Sequence, residues 1–163
     1  MDAMVDVGTP PHVFPGGECG ATTWRQDVAI PRLLAEGVSF YNPQIGVGEW
    51  HSGLIQIEAV AKGRATQMLI PIGSTTLGTV SLMEAIKYSY TGTLLHLVVE
   101  DIADGTVVQG QVITGEVWKA AQRGRAYLLD LVPQRPNVFR HGSVEEALTV
   151  IVGIALACGA VTA

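Results

Sequence analysis

Charge is scarce in this chain. Of its 163 residues only 15% are charged, and 15 acidic against 10 basic side chains leave a formal net charge of −5. No run of basic residues occurs, which argues against a nucleic-acid partner, because phosphate neutralisation requires clustered Lys and Arg. With 48% hydrophobic residues the chain also falls outside the composition of disordered segments. Cysteine is nearly absent: Cys19 and Cys158 are too far apart for a disulfide framework, and neither sits in a CxxC pair or beside His at metal-ligand spacing. No metal site is therefore expected, and the setting indicated is a reducing cytoplasm. The N-terminus carries Asp2 and Asp6 and lacks the charged-then-apolar pattern of a secretory signal. The stretch Ala147 to Ala163 is 17 residues without a charge, contains two glycines and has no basic flank after it. It falls just short of a membrane span and reads as a buried or subunit-facing helix, so no membrane partner is expected. GxGxxG after the first strand, GxxxxGK followed by Ser or Thr, and GxSxG are all missing. Dinucleotide and P-loop sites are thereby disfavoured, and no cofactor is expected.

What is present is an alternation of short apolar runs with longer segments of helical period, punctuated by glycine and proline. His12 to Pro15 predicts a first strand, ended by Gly16-Gly17. A helix capped at Thr22 or Thr23 follows through Trp24, Val28, Ile30, Leu33 and Leu34, with a kink or split expected at Pro31. Val38 to Tyr41 predicts a second strand, stopped by Asn42-Pro43. Glycine-rich Ile45 to Trp50 leads into a helix with Leu54, Ile57 and Ala61 on its apolar positions. Gln67 to Ile72 predicts a strand covered on both faces, Gly73 to Thr76 a polar loop, and Gly78–Ser81 the start of a helix reaching Tyr90. Leu94 to Val99 reads as a fourth strand, Val112 to Gln122 as a helix, Ala126 to Leu131 as a fifth strand, and Val144 to Cys158 as the last helix (about 143–160).

This order predicts one α/β domain over residues 1–163: a three-layer, flavodoxin-like fold with a five-stranded parallel sheet in the order 2-1-3-4-5 and helices on both faces. Ligands of such sheets bind beyond the carboxyl ends of the strands, where the strand order reverses. The loops Pro15–Thr23 and Gly73–Glu84 are placed there.

Two carboxylates stand out. Glu84 falls within two turns of a helix start, amid Val80, Leu82, Met83, Ala85 and Ile86, so it is either a poorly solvated site carboxylate or an ordinary solvent-facing one. Glu58, among Ile55, Ile57, Ala59 and Val60, needs a partner or a role if it is buried. Lys62 at i+4 is the bland partner. Trp24-Arg25 reads either as an anion clamp or as a surface Arg over an aromatic. Tyr41, Asn42 and Trp50 supply stacking faces and an amide suited to a planar base, or ordinary loop packing. Cys19 lacks an identifiable His base, and His12, His51, His96 and His141 show no pairing in the sequence.

The ordered set Gly16-Gly17, Thr23-Trp24-Arg25, Phe40-Tyr41-Asn42-Pro43, Trp50, Glu58 and Leu77-Gly78-Thr79-Val80-Ser81-Leu82-Met83-Glu84-Ala85 resembles the nucleoside 2-deoxyribosyltransferase-like family, over about residues 12 to 131. The wider superfamily also includes hydrolases of deoxynucleoside 5′-monophosphates. The resemblance implies that Glu84 attacks the anomeric carbon, that Glu58 helps to bind the sugar, and that a covalent deoxyribosyl-enzyme is resolved by a second base or by water. It implies a small-molecule nucleoside or nucleotide as partner, with Gly16, Gly17, Trp24, Arg25, Asn42, Trp50, Gly78 and Ser81 around it. Ser81 and the amides of Gly78 to Val80 are placed to hold a 5′-phosphate at the helix start. The Gly73–Thr76 loop departs from the family in having no acid to handle the base. The alternative expectation is a non-catalytic nucleotide or nucleotide-sugar binder on the same fold. A homo-oligomer, dimer or higher, is expected in the enzymatic case, with Val144, Leu148, Ile151, Val152, Ala155 and Leu156 of the last helix as its apolar contact surface.

Overall fold

The computed structural model describes residues 12–18, 22–44 and 51–159. In chain order its elements are β1 (Val13–Pro15), a π-helical turn (Arg25–Ala29), α1 (Ile30–Ala35), α2 (Gly53–Arg64), β2 (Gln67–Ile72), α3 (Thr79–Ser89), β3 (Leu94–Val99), β4 (Thr106–Val108), β5 (Gln111–Ile113), α4 (Gly115–Leu131), a 3-10 turn (Val132–Gln134), β6 (Val138–His141) and α5 (Val144–Ala157). Four of the strands form one parallel sheet in the order β1-β2-β3-β6. All six residues of β2 are buried, as a central strand covered on both faces requires.

The two-residue period of the strands divides the core. Val13, Leu69 and Val98 face a cluster with Ala29 and Leu33 of the first helical segment and with Leu148, Ile151 and Ala155 of α5. Phe14, Met68, Ile70 and Leu97 face the other way, onto Ala61 of α2, Ala85 and Tyr88 of α3 and Leu128 of α4. A helical layer therefore lies on each side of the sheet, as expected. The break anticipated at Pro31 takes the form of a π-helical turn passing into α1, with Pro31 in the first turn of α1, where its missing N–H does no harm.

Three expectations are corrected. The second strand, Val38–Tyr41, contributes only an isolated parallel bridge between Phe40 and Val13. Amides of His12 and Val13 donate to Ser39 O, and Tyr41 donates to Val13 O. The sheet proper has four strands, because β1 is three residues long and Pro43, which has no amide to donate, soon follows. The fifth strand is not Ala126–Leu131, which lies in α4, but Val138–His141. Finally, the helix expected from Val112 begins at Gly115, and the residues before it form the β4–β5 hairpin, antiparallel and closed by Gln109-Gly110 with φ of 50° and 80°. Two positive φ values in a two-residue loop are the mirror-image turn that suits strand twist. Among the described residues no helix is long and apolar enough to cross a membrane.

Candidate functional site

Two buried arginines shape the loops at the carboxyl end of the sheet. Arg25 is fully buried, and its guanidinium points at the loop after β1: Nε donates to Pro15 O (2.8 Å), Nη1 to Glu18 O (2.7 Å) and Gln44 Oε1 (3.1 Å), and Nη2 to Gly16 O and to Gly17 O (3.1 Å). Arg125, on the core side of α4, does the same for the loop after β2. Nε donates to Glu100 O (2.9 Å), Nη2 to Gly73 O (3.0 Å) and Thr76 O (2.6 Å), and Nη1 to Leu77 O and Ala121 O (3.3 Å each). Each planar fork uses all five of its donors, and the carbonyls it engages keep hydrogen bonds that burial would otherwise remove. Arg25 thus organises the loop, where an anion clamp had been one expectation.

Glycine is required at two points in these loops. Gly17 has φ +82°, and a Cβ there would lie 2.8 Å from Pro71 O; Gly78 has φ +66°, and a Cβ would lie 2.6 Å from Ile72 Cγ2. The Gly78 amide donates to Thr76 Oγ1 at 2.9 Å, and Ser81 is buried.

A cleft with a volume of about 270 Å³ opens beyond the carboxyl ends of β2, β3 and β6, between the first helical segment and the start of α5. Trp24 lines it, as do Thr75, Thr76 and three carboxylates, Glu18, Glu100 and Glu145. The Glu100 carboxylate accepts from the Ser74 amide at 2.8 Å. At the cleft wall α5 is capped reciprocally: Ser143 Oγ accepts from Glu146 N (3.1 Å), and Glu146 Oε2 accepts from Gly142 N (2.7 Å).

Glu58 and Glu84 are not part of that cleft. They meet on the opposite face of the sheet, between α2 and α3, where Lys62 Nζ lies 3.0 Å from Glu58 Oε2 and 2.6 Å from Glu84 Oε1. The three side chains are only 30%, 13% and 21% exposed for Glu58, Lys62 and Glu84. Lys62 also lies 5.0 Å from the ring centre of Phe14, on which Tyr41 stacks at 5.6 Å. Burial works against the Lys62 charge, but the hydrogen bonds it donates to Glu84 and Glu58 outweigh it and hold its pKa above the ordinary value. Burial, reinforced by the Glu58 charge and opposed by Lys62, raises the Tyr41 phenol. The bland partner foreseen for Glu58 is present, and the same ammonium gathers in Glu84, 22 residues further along. Nothing in the spacing of the two helices shows that second contact.

The remaining candidates are dispersed. Asn42 is exposed, and its Oδ1 accepts from the Gln44 amide at 3.1 Å. Gly16 is buried under the Arg25 fork. Trp50 and Cys19 lie outside the described residues. Arg125 was missed because one arginine on a helix carries no sequence signal of its five carbonyl partners.

The histidines, expected to be unpaired, include a pair. His96 Nδ1 and His141 Nε2 are 3.0 Å apart, and His96 Nε2 is 3.0 Å from Gln67 Oε1. Gln67 Nε2 donates to Ile151 O, so its Oε1 must accept and His96 Nε2 must carry hydrogen. His96 Nδ1 then accepts from His141 Nε2–H, and the chain of bonds is complete with His96 neutral. Burial, then the charge of His141, pushes His96 down to about 3. As pH falls below 6.5 the unfolded chain takes up a proton at this position and the folded one does not, so stability is full above 6.5 and declines toward pH 3, at up to about 1.4 kcal/mol per pH unit. His141 and His12, lowered chiefly by burial, act in the same direction. Urea midpoints measured from pH 7 to pH 5 should fall steadily in the wild type and less steeply in His96→Gln; equal slopes would remove His96 as the cause.

Compared with protein-family models, with curated proteins and with solved structures, the chain finds no match.

Proposed function

We propose that the chain cleaves or transfers at the N-glycosidic bond of a deoxyribonucleoside or its 5′-monophosphate, with Glu84 as the nucleophile. The observation that carries this reading is the half-buried carboxylate pair. Glu58 and Glu84 contact one ammonium, so the two bonded oxygens are no more than about 6 Å apart, close enough for both to face one sugar ring. The resemblance to nucleoside 2-deoxyribosyltransferase-like proteins assigns the same two residues.

In this mechanism Lys62 holds Glu84 in place through Oε1, and Oε2, which has no hydrogen-bond partner among the described residues, attacks C1′. The C1′–N bond breaks as the ester bond to Glu84 forms, and the base leaves with the bonding pair and takes a proton from solvent water. Water or a second base then attacks C1′ and returns Glu84 to its carboxylate. Glu58, still paired with Lys62, binds the sugar. The rings of Phe14 and Tyr41 beside the group supply an apolar flank. Incubation with deoxynucleosides, their monophosphates and a free acceptor base, followed by chromatography, should show base release or exchange. Recovery of every substrate unchanged would remove the proposal.

A second reading, a non-catalytic nucleotide or nucleotide-sugar binder, is favoured by the closed ion pair at 2.6 Å on Glu84 and by a cleft formed from other residues. Saturable binding in calorimetry, with ligand recovered intact after prolonged incubation, would select it.

A further inference from the structure

We propose that the cleft beyond the carboxyl ends of β2, β3 and β6 binds an aliphatic di- or polyamine, independently of the Glu84 group on the other face of the sheet. Its volume of about 270 Å³ lies at the small end of the roughly 300–1,000 Å³ of small-molecule sites. Three separate stretches of chain each bring one carboxylate to it: Glu18 from the loop after β1, Glu100 from just after β3, and Glu145 from the first turn of α5. Among the described residues no Lys, Arg or His lines the cleft, and none of the three carboxylates is ion-paired. Trp24, Val28 and Val98 make the wall between them apolar.

The chemistry of the occupant follows from these walls. A cleft lined by charges of one sign focuses their potential and concentrates ions of the other sign, here cations. A single metal ion is a poor fit, because no three His, Cys, Asp or Glu side chains among the described residues stand close enough together to hold one. Carboxylates spread around an apolar wall suit amines spaced along a hydrocarbon chain instead. Each ammonium donates to a carboxylate, and the methylenes between them cover Val28 and Val98. The N-terminus of α5 does not turn the cleft into an anion site, since Glu145 and Glu146 of its own first turn meet the helix dipole and Ser143 caps it. Nor do the two buried arginines. Arg25, and Arg125, which is near enough to feel the Glu100 charge, direct their donors to backbone carbonyls and to Gln44.

Titration calorimetry of the full chain at neutral pH and low salt tests this, with putrescine and spermidine as the probes. Each should bind saturably, and putrescine at least about fivefold more tightly than butylamine, which has the same carbon chain and a single charge. Affinity should fall as sodium chloride is raised, and Mg²⁺ at the concentration of the amine should not compete. Glu100→Gln and Glu145→Gln, both at exposed positions, should each weaken binding about fivefold or more and leave far-ultraviolet circular dichroism unchanged. Glu18→Gln provides a third probe if either variant loses its fold. Glu116→Gln, an exposed acid on α4 that does not line the cleft, should leave the affinity as it is. No saturable binding of either amine, equal binding of butylamine, competition by Mg²⁺, displacement by a deoxynucleoside monophosphate, or unaltered affinity in the folded Glu100 and Glu145 variants would each overturn the inference.

Discussion

Replacing Glu84 with Gln should abolish base release, lowering turnover by about a thousandfold or more, because the amide cannot form the glycosyl ester. The same change deletes one of the two negative charges that Lys62 compensates, but Glu58 remains at 3.0 Å, so the fold should survive. Glu58→Gln is the instructive partner. If Glu58 holds the sugar and does not form the covalent bond, its loss should cost less than that of Glu84 and should appear in KM as well as in kcat. Lys62 then has a part that a surface ion pair would lack, since with Lys62→Met two half-buried carboxylates face each other without their common counter-charge. The two carboxylates then repel and lose the position that Lys62 gives them, and turnover should fall by about tenfold or more.

Replacing Arg125 with Met should be the most destabilising single change in the folded chain, by about 3–5 kcal/mol, because it leaves five backbone carbonyls without their donor while keeping the side-chain volume. For a chain of this size that corresponds to a fall in Tm on the order of 10 °C. Three of those carbonyls belong to Gly73, Thr76 and Leu77, so the loop after β2 should loosen first. Amide hydrogen exchange at residues 73–78 should accelerate more than exchange in β3. A variant as stable as the wild type, with equal protection in that loop, would show that the fork is dispensable.

Elements with an unambiguous period were legible in the sequence. The bounds of β2 and β3 agree with the apolar runs 67–72 and 94–99, and α3 and α5 start within a residue or two of their expected places. The failures share a cause. α4 presents Trp118, Ala121, Arg125 and Leu128 on its inner side, and a charged residue at a core position interrupts the helical stripe, so the apolar run 126–131 passed for a strand. The hairpin turns on Gln109-Gly110 in place of the Asn-Gly or Asp-Gly that announces such a turn. At the site, Glu58 and Glu84 were legible as carboxylates in apolar company, and the lysine between them was legible only as a neighbour of one. Tertiary contacts across 22 or 45 residues, Lys62 with Glu84 and His96 with His141, leave no local trace.

The covalent step is the centre of the account, and mass spectrometry reads it directly. Incubated with a 2′-fluorinated deoxynucleoside, which slows breakdown of a glycosyl ester, the protein should gain the mass of one fluorinated sugar, and proteolysis should place that mass on the peptide bearing Glu84. An unchanged protein mass alongside measurable base release, or a sugar attached to any other residue, would contradict Glu84 as the nucleophile.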